Sequence, residues 1–340
     1  MKPLLLVLLL FSLPALGQNI SGSLSGTVQD SSGAMFTGAD VKVTNAQTGF
    51  VRTTKTNMEG FFALPDLTPG TYNLEITAQG FKQYRQEKIE LNSGDSRSLP
   101  GIRMELGAVT ESVTVQAESA PVMVGSSERG GVLNTEDIQS MALRGRDFMD
   151  VIGLLPGVVD TADSREAPNP NSVQNIFIAG GRQNAKNINI DGVTNMDTGN
   201  NNATHNQPSM DSVAEVKVLM SNYAAEYGRN SGGAITIITR GGQRQLRGSA
   251  GWFHRETGFN ANNFFNNKQG LDRAAYRYNI YSYTVGGPVR FPKVNYNRNR
   301  DKLFFFFSQE FQRQLQSFAT TTVRVPRRWS GPEISRRAGT

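Results

Sequence analysis

The chain has 340 residues, with 35 Lys and Arg against 29 Asp and Glu, no Cys, two His and 38% apolar residues. A chain of this length holds two or three domains, and the lack of Cys excludes disulfide scaffolds, thiolate zinc sites and cysteine nucleophiles. The net charge of +6 is divided unevenly: residues 1–239 carry 17 basic and 24 acidic groups, residues 240–340 carry 18 and 5. An acidic front and a basic back ask for separate physical explanations.

Met1-Lys2, the apolar run Leu4 to Leu13 and the small-residue site Pro14-Ala15-Leu16-Gly17 form a signal peptide over residues 1–17, cleaved after Gly17. The run falls short of the ~20 apolar residues that a spanning helix needs. No later stretch reaches that length, so membrane insertion requires β-strands.

Residues 18–107 alternate short β-prone runs with turn residues: Leu24 to Val28, Asp40 to Thr44, Phe50 to Thr56, Gly60 to Leu64, Gly70 to Ala78 and Gln86 to Leu91. This spacing predicts a β-sandwich. Val41 and Val43 alternate with Lys42 and Thr44, and Tyr72, Leu74 and Ile76 alternate with Asn73, Glu75 and Thr77, which sends one face inward. Several motifs occur in order: Gly26-x-Val28-x-Asp30, Gly38-Ala39-x-Val41-x-Val43, Asn45-x-x-Thr48-Gly49, Gly60-x-Phe62, Leu67-x-Pro69-Gly70-x-Tyr72 and Gly80-Phe81. The segment resembles the carboxypeptidase regulatory-like domain, a transthyretin-like seven-stranded sandwich. Thr37 stands where that family often has Pro. The resemblance implies no catalytic residues. A zinc carboxypeptidase needs closely spaced His and Glu ligands, whereas the third residue after His205 is Pro208 and the third after His254 is Thr257.

Residues 108–240 mix strands and helices. Glu111, Ser112, Val113, Thr114 and Val115 form an alternating strand followed by the linker-like Ala117 to Pro121. Two readings are open, an ordinary edge strand or a strand whose free backbone groups a partner captures by β-augmentation. Thr135 is placed to cap a helix, and a second helix presents Phe148, Val151, Ile152 and Leu155 on one face before Pro156-Gly157. Strands are predicted over Asn175 to Ala179, Lys186 to Ile190, Glu215 to Met220 and Ala234 to Thr239. Gly180-Gly181-Arg182 lacks the Gly-Lys-Ser/Thr and Gly-x-Gly-x-x-Gly patterns of phosphate loops. The oxygen-rich run Asp191 to Asn202 lacks the ligand spacing of a calcium loop and reads as a solvated turn.

The segment resembles the plug domain of TonB-dependent outer-membrane transporters. That rests on Gly145-Arg146-Asp147-Phe148 leading to Leu155-Pro156-Gly157-Val158, and on Gly180, Gly181 and Arg182 followed by Ile190-Asp191-Gly192-Val193. It rests also on Val213-x-Glu215-Val216-Lys217-Val218, leading through Ala225-Glu226-Tyr227-Gly228 to Gly232, Gly233 and Ala234 to Thr239. The resemblance implies that Glu111 to Val115 sits where the family carries its TonB box, the segment that a periplasmic energy-coupling protein captures by strand addition.

From residue 241 aromatics lie among Arg and Asn, and three segments have spanning length: Gln245 to His254, Tyr276 to Val285 and Lys302 to Phe311. Arg interleaved with aromatics also suits nucleic acid, but a signal peptide argues against it, and lumen or anionic lipid is the readier partner. Gly286-Gly287-Pro288-Val289 and the Phe cluster after Asp301-Lys302 are similar to Oar-like transporters, which carry the same sandwich before the plug. A plugged barrel of 22 strands needs about 220 residues for strands alone. The expectation is therefore the first strands of an incomplete barrel over 241–326. Residues 327–340 lose both alternation and resemblance. Related barrels continue with Ala-Leu-Glu-Arg-Ala-Gly-Asp-Phe-Ser, and suitable codons for that peptide, read one base out of phase, give the string at Arg328 to Arg336, so a shifted reading frame is expected there.

The fold class is thus mainly β with an α/β plug: sandwich, plug and the first barrel strands. The resemblance implies a non-enzymatic fragment of an active importer in the outer membrane, its sandwich in the periplasm. It further implies no cofactor, and as partners a TonB-type protein, outer-membrane lipid and an unidentified ligand. The alternative is a secreted or periplasmic module that binds carbohydrate or protein without transport.

Overall fold

The computed structural model describes residues 20–107, 112–116, 127–162, 165, 167–199, 201–228, 231–290 and 296–316. The expected signal peptide, Glu111, the linker at Ala117 to Pro121 and the anomalous tail at 327–340 lie outside the described residues.

The N-terminal strands are β1 (Gly22–Gln29), β2 (Asp40–Asn45), β3 (Val51–Lys55), β4 (Phe61–Leu67), β5 (Gly70–Thr77), β6 (Gln83–Leu91), β7 (Ser96–Arg103) and β8 (Ser112–Gln116). One sheet runs β4-β1-β7 and the other β3-β2-β5-β6-β8. Alternation sets the packing: Leu24, Val28, Phe62 and Leu64 of the first sheet meet Val41, Val43, Tyr72, Leu74, Ile76 and Ile89 of the second in one core. Turns are fixed by side chains. Asn45 Oδ1 accepts from the N–H groups of Gln47 at 3.0 Å and Thr48 at 2.9 Å, and the Tyr72 hydroxyl donates to Thr68 O at 2.7 Å.

One observation corrects the sequence reading of this region, and a second locates a strand that it predicted. β7 was not foreseen, because Ser-Arg-Ser-Leu-Pro-Gly-Ile-Arg shows no apolar alternation; it is held instead by parallel backbone pairing to β1. The strand near Glu111 does not stand apart. β8 pairs in parallel with β6, from Gln83 opposite Ser112 to Glu87 opposite Gln116, and is the outermost strand of its sheet.

The following segment contains β9 (Arg129–Asn134), α1 (Thr135–Ser140), α2 (Met149–Ile152), β10 (Val158–Asp160), β11 (Ile176–Ile178), β12 (Asn187–Ile190), β13 (Val193–Thr194), β14 (Val213–Ser221) and β15 (Ala234–Thr239). Five strands form a sheet in the order β13-β12-β15-β14-β9, with β9 at its edge, and β10 pairs with β11. Phe148, Val151 and Ile152 are buried as their spacing requires, although α2 is a single turn and Leu155 lies beyond it. Asn134, not Thr135, caps α1: its Oδ1 accepts from Asp137 N–H at 2.9 Å, while Asp137 Oδ2 accepts from Asn134 N–H at 3.1 Å. Thr135 instead donates to Ala214 O at 3.0 Å, tying the helix to β14.

Buried charge also holds this segment. Arg165 pairs with Asp150 and Asp160 and donates to Ser172 O at 2.9 Å. Asp147 accepts from Ser172 Oγ at 2.6 Å, and burial pushes its carboxyl up to about 6.

The last strands are β16 (Arg247–Glu256), β17 (Tyr276–Pro288) and β18 (Phe304–Gln316), in the sheet order β16-β17-β18, with a short helix α3 (Phe264–Lys268) between the first two. The described chain forms two compact units. One comprises the sandwich, the second segment and strand ends up to residue 249 and over 284–309; the other comprises the strand portions 250–283 and 310–316. Within the second unit, Trp252 and Tyr281 stack with rings 4° from parallel and centroids 6.3 Å apart, both exposed. Among the described residues no helix is long and apolar enough to cross a membrane.

Leu74 is fully buried at the centre of the sandwich. Leu74→Ala should destabilise the sandwich by about 2–5 kcal/mol, measured by urea unfolding followed through Tyr fluorescence.

Candidate functional site

The sandwich and the α/β segment meet at a loop and a strand. The loop 92–95 between β6 and β7 lies against β14, where Glu215 and Lys217 share one face. Lys217 Nζ donates to Ser93 O at 2.8 Å and Asp95 Oδ1 at 3.1 Å, and lies 3.6 Å from Glu128 Oε2, just before β9. Its side chain is 5% exposed. Ser93 N–H donates to Glu215 Oε1 at 3.1 Å. One ammonium therefore pairs with two carboxylates, with Glu215 on the same strand face. Burial, reinforced by Asp95, pushes Glu215 up to about 7, against the opposing Ser93 hydrogen bond and Lys217 charge.

Close approach fixes the loop's composition. Gly94 has φ +68°, and a Cβ there would lie 2.5 Å from the Tyr227 hydroxyl. Burial raises that hydroxyl to about 12, which keeps it protonated. No signal short of the fold marks this joint: Glu215 and Lys217 alternate with Val216 and Val218, a pattern that ordinarily means a solvated face.

The glycines of the sequence motifs come together. Gly181 N–H donates to Ile178 O at 2.8 Å, Gly232 N–H donates to Ala185 O at 2.7 Å, and a Cβ on Gly181 would lie 2.8 Å from Gly232 Cα. Gly180 and Gly233 take left-handed φ of +72° and +114°. The two glycine pairs thus let two backbones touch, a packing role. Arg182 is exposed beside them. Asp191 and Gly192, at φ +49° and +81°, turn β12 into β13. Asp191 accepts from Thr239 N–H at 2.9 Å and Thr239 Oγ1 at 2.7 Å, clasping the end of β15. Ser112 to Val115 lie on the sandwich edge and are not joined to these turns.

Comparison with known proteins fits this division. Residues 23–105 match the family model of the carboxypeptidase regulatory-like domain, and residues 132–235 match that of the TonB-dependent receptor plug domain. Residues 132–235 are thus a plug-type domain. Residues 238–331 match the outer membrane beta barrel domain, so the plug leads directly into barrel-type strands. The TonB-dependent transporter Oar of Myxococcus xanthus is 25% identical over 321 residues, 90% of this chain and 28% of that protein. The chain therefore spans little more than a quarter of that relative's length. Among solved structures, the siderophore receptor PirA from Acinetobacter baumannii is 19% identical, with a TM-score of 0.38 over 54% of this chain and 24% of its own. The outer membrane transporter YddB from Escherichia coli is 16% identical, with a TM-score of 0.39 over 47% and 24%. The plug and barrel matches do not favour the free-standing binding module, and transporter-type domains imply a role other than catalysis.

The joint has a definite pH signature. Because the folded-state pKa of Glu215 is raised from 4.5 to about 7, its contribution is fully present below pH 4.5 and is lost as pH rises through 7. Glu215→Gln should flatten the fall in stability between pH 6 and 8 in urea titrations, leaving that of Asp147, which is largely complete by pH 7. Lys217→Met should cost about 3–5 kcal/mol, since it leaves buried carboxylates without their cation.

Proposed function

We propose that the chain forms the periplasmic and gating part of an outer-membrane importer driven by a TonB-type protein. The sandwich hangs in the periplasm, the plug closes the lumen, and β8 is the coupling strand. The observation that carries this is topological: β8 is the outermost strand of the sandwich sheet, and among the described residues it pairs with β6 alone. Its continuation leads through Glu128 into β9, the edge strand of the plug sheet.

An open strand edge is a site for β-augmentation. The partner's strand adds to the outer edge of β8 and extends the sandwich sheet by one strand. Force on β8 first loads its five-residue parallel pairing with β6. It next reaches Glu128 and its pairing with Lys217, and then the antiparallel pairing of β9 with β14. Edge strands peel without disrupting the rest of a sheet, so β9 opens first and the lumen is unblocked stepwise. The coupling protein does the work and the chain performs no chemistry.

The natural chain lacks Cys, so an engineered pair reports cleanly. Tyr84 and Val113 are register partners across β6 and β8. A Tyr84→Cys, Val113→Cys variant should form an intrachain disulfide on oxidation and still bind the C-terminal domain of the TonB-type partner through the outer edge. Deletion of residues 112–116 should abolish that binding. Undiminished binding by the deletion variant, measured by surface plasmon resonance, rules β8 out as the coupling strand.

A further inference from the structure

A second site lies where β16 and β18 begin and β17 ends, away from the joint. There a cleft of about 570 Å³ is lined by Arg244, Arg247, Arg298 and Arg300, with Gln47 and Asn299 among the polar groups between them. Among the described residues no carboxylate lines it.

The arginines are set by built structure. Asn297 is buried, and its Nδ2 donates to Val289 O at 2.8 Å and Leu303 O at 2.7 Å. Its Oδ1 accepts from the N–H groups of Asp301 at 3.0 Å and Lys302 at 2.9 Å. Residues 296–303 are thereby folded around one amide, which projects Arg298 and Arg300. Arg244 N–H donates to Gln47 O at 3.1 Å, and its Nη2 donates to Asn299 O at 3.3 Å, which holds the opposite wall. Four guanidinium groups around one space repel each other, and an anion relieves that cost. Planar N–H forks match phosphate oxygens in pairs, and the neutral Gln47 and Asn299 amides add further donors.

We propose that this cleft is a phosphate-binding site occupied by a phospholipid headgroup. The volume lies within the usual range for small-ligand sites and exceeds what one free phosphate fills. The lipid assignment rests on the transporter reading: Arg247 opens β16 and Arg298 and Arg300 lie between β17 and β18, so strands that cross the bilayer place the cleft at headgroup level.

The test uses the full chain and an Arg247→Gln, Arg298→Gln variant, which spares the Arg244 wall contacts; equal melting temperatures confirm its folding, and Arg298→Lys serves as a second variant. Binding to phosphatidylglycerol and to phosphatidylcholine vesicles is measured by flotation, and binding of inorganic pyrophosphate by calorimetry. The proposal expects preference for phosphatidylglycerol, at least a tenfold loss in the double variant and a smaller loss in Arg298→Lys. Pyrophosphate binding that the double variant loses, without vesicle preference, keeps the phosphate site and overturns its lipid occupant. Equal binding by native and variant chains, or none to either probe, overturns the site. Fractionation of the chain away from the outer membrane, with pyrophosphate binding intact, overturns the transporter reading alone.

Discussion

A buried ammonium must find its counter-charges nearby, and Lys217 finds them on two other elements. Its strand belongs to the plug sheet, Ser93 and Asp95 belong to the sandwich, and Glu128 precedes the plug's edge strand. Removing any of these partners strands charge in a low-dielectric setting. The joint therefore fixes how sandwich and plug meet, and through Glu128 it fixes where β9 begins. Glu215, on the same face and raised to about 7, completes the cluster by holding a proton near neutrality.

Under the proposed coupling role of β8, the joint has a mechanical meaning. Among the described residues β8 pairs with β6 alone, and that pairing is short and parallel, the slightly weaker ladder geometry. Pairing with β6 keeps the strand extended, which would lower the ordering cost of the proposed capture. In that proposal, pull reaches β9, an edge strand rather than a central one. The interior of the plug, where Gly181 and Gly232 touch and Asp191 clasps Thr239, lies further along the load path.

Much of this was legible in the sequence wherever burial follows alternation. Val41, Val43, Tyr72, Leu74 and Ile76 point inward as their spacing requires, and Ala234–Thr239 is the predicted strand to the residue. Features held by backbone pairing or by long-range charge were not legible. β7 and β9 are polar or glycine-bearing strands stabilised by their neighbours, and the Lys217 cluster joins residues more than 120 positions apart. The cap at Asn134 was misplaced by one residue because two good capping types are adjacent. The alternation of Ser112 to Val115 identified a strand, and only the fold reveals which of its edges is taken.

Force that enters at β8 is expected to peel β9 before the rest of the plug, with Lys217 as the first strong point of resistance. Single-molecule pulling between handles attached at Thr114→Cys in β8 and Gln243→Cys after β15, in a chain otherwise free of Cys, tests it directly. The account predicts a first short extension confined to the β8 to β9 stretch, at a force that Lys217→Met lowers. A single event that unfolds the whole plug, at a force unchanged by Lys217→Met, would contradict it.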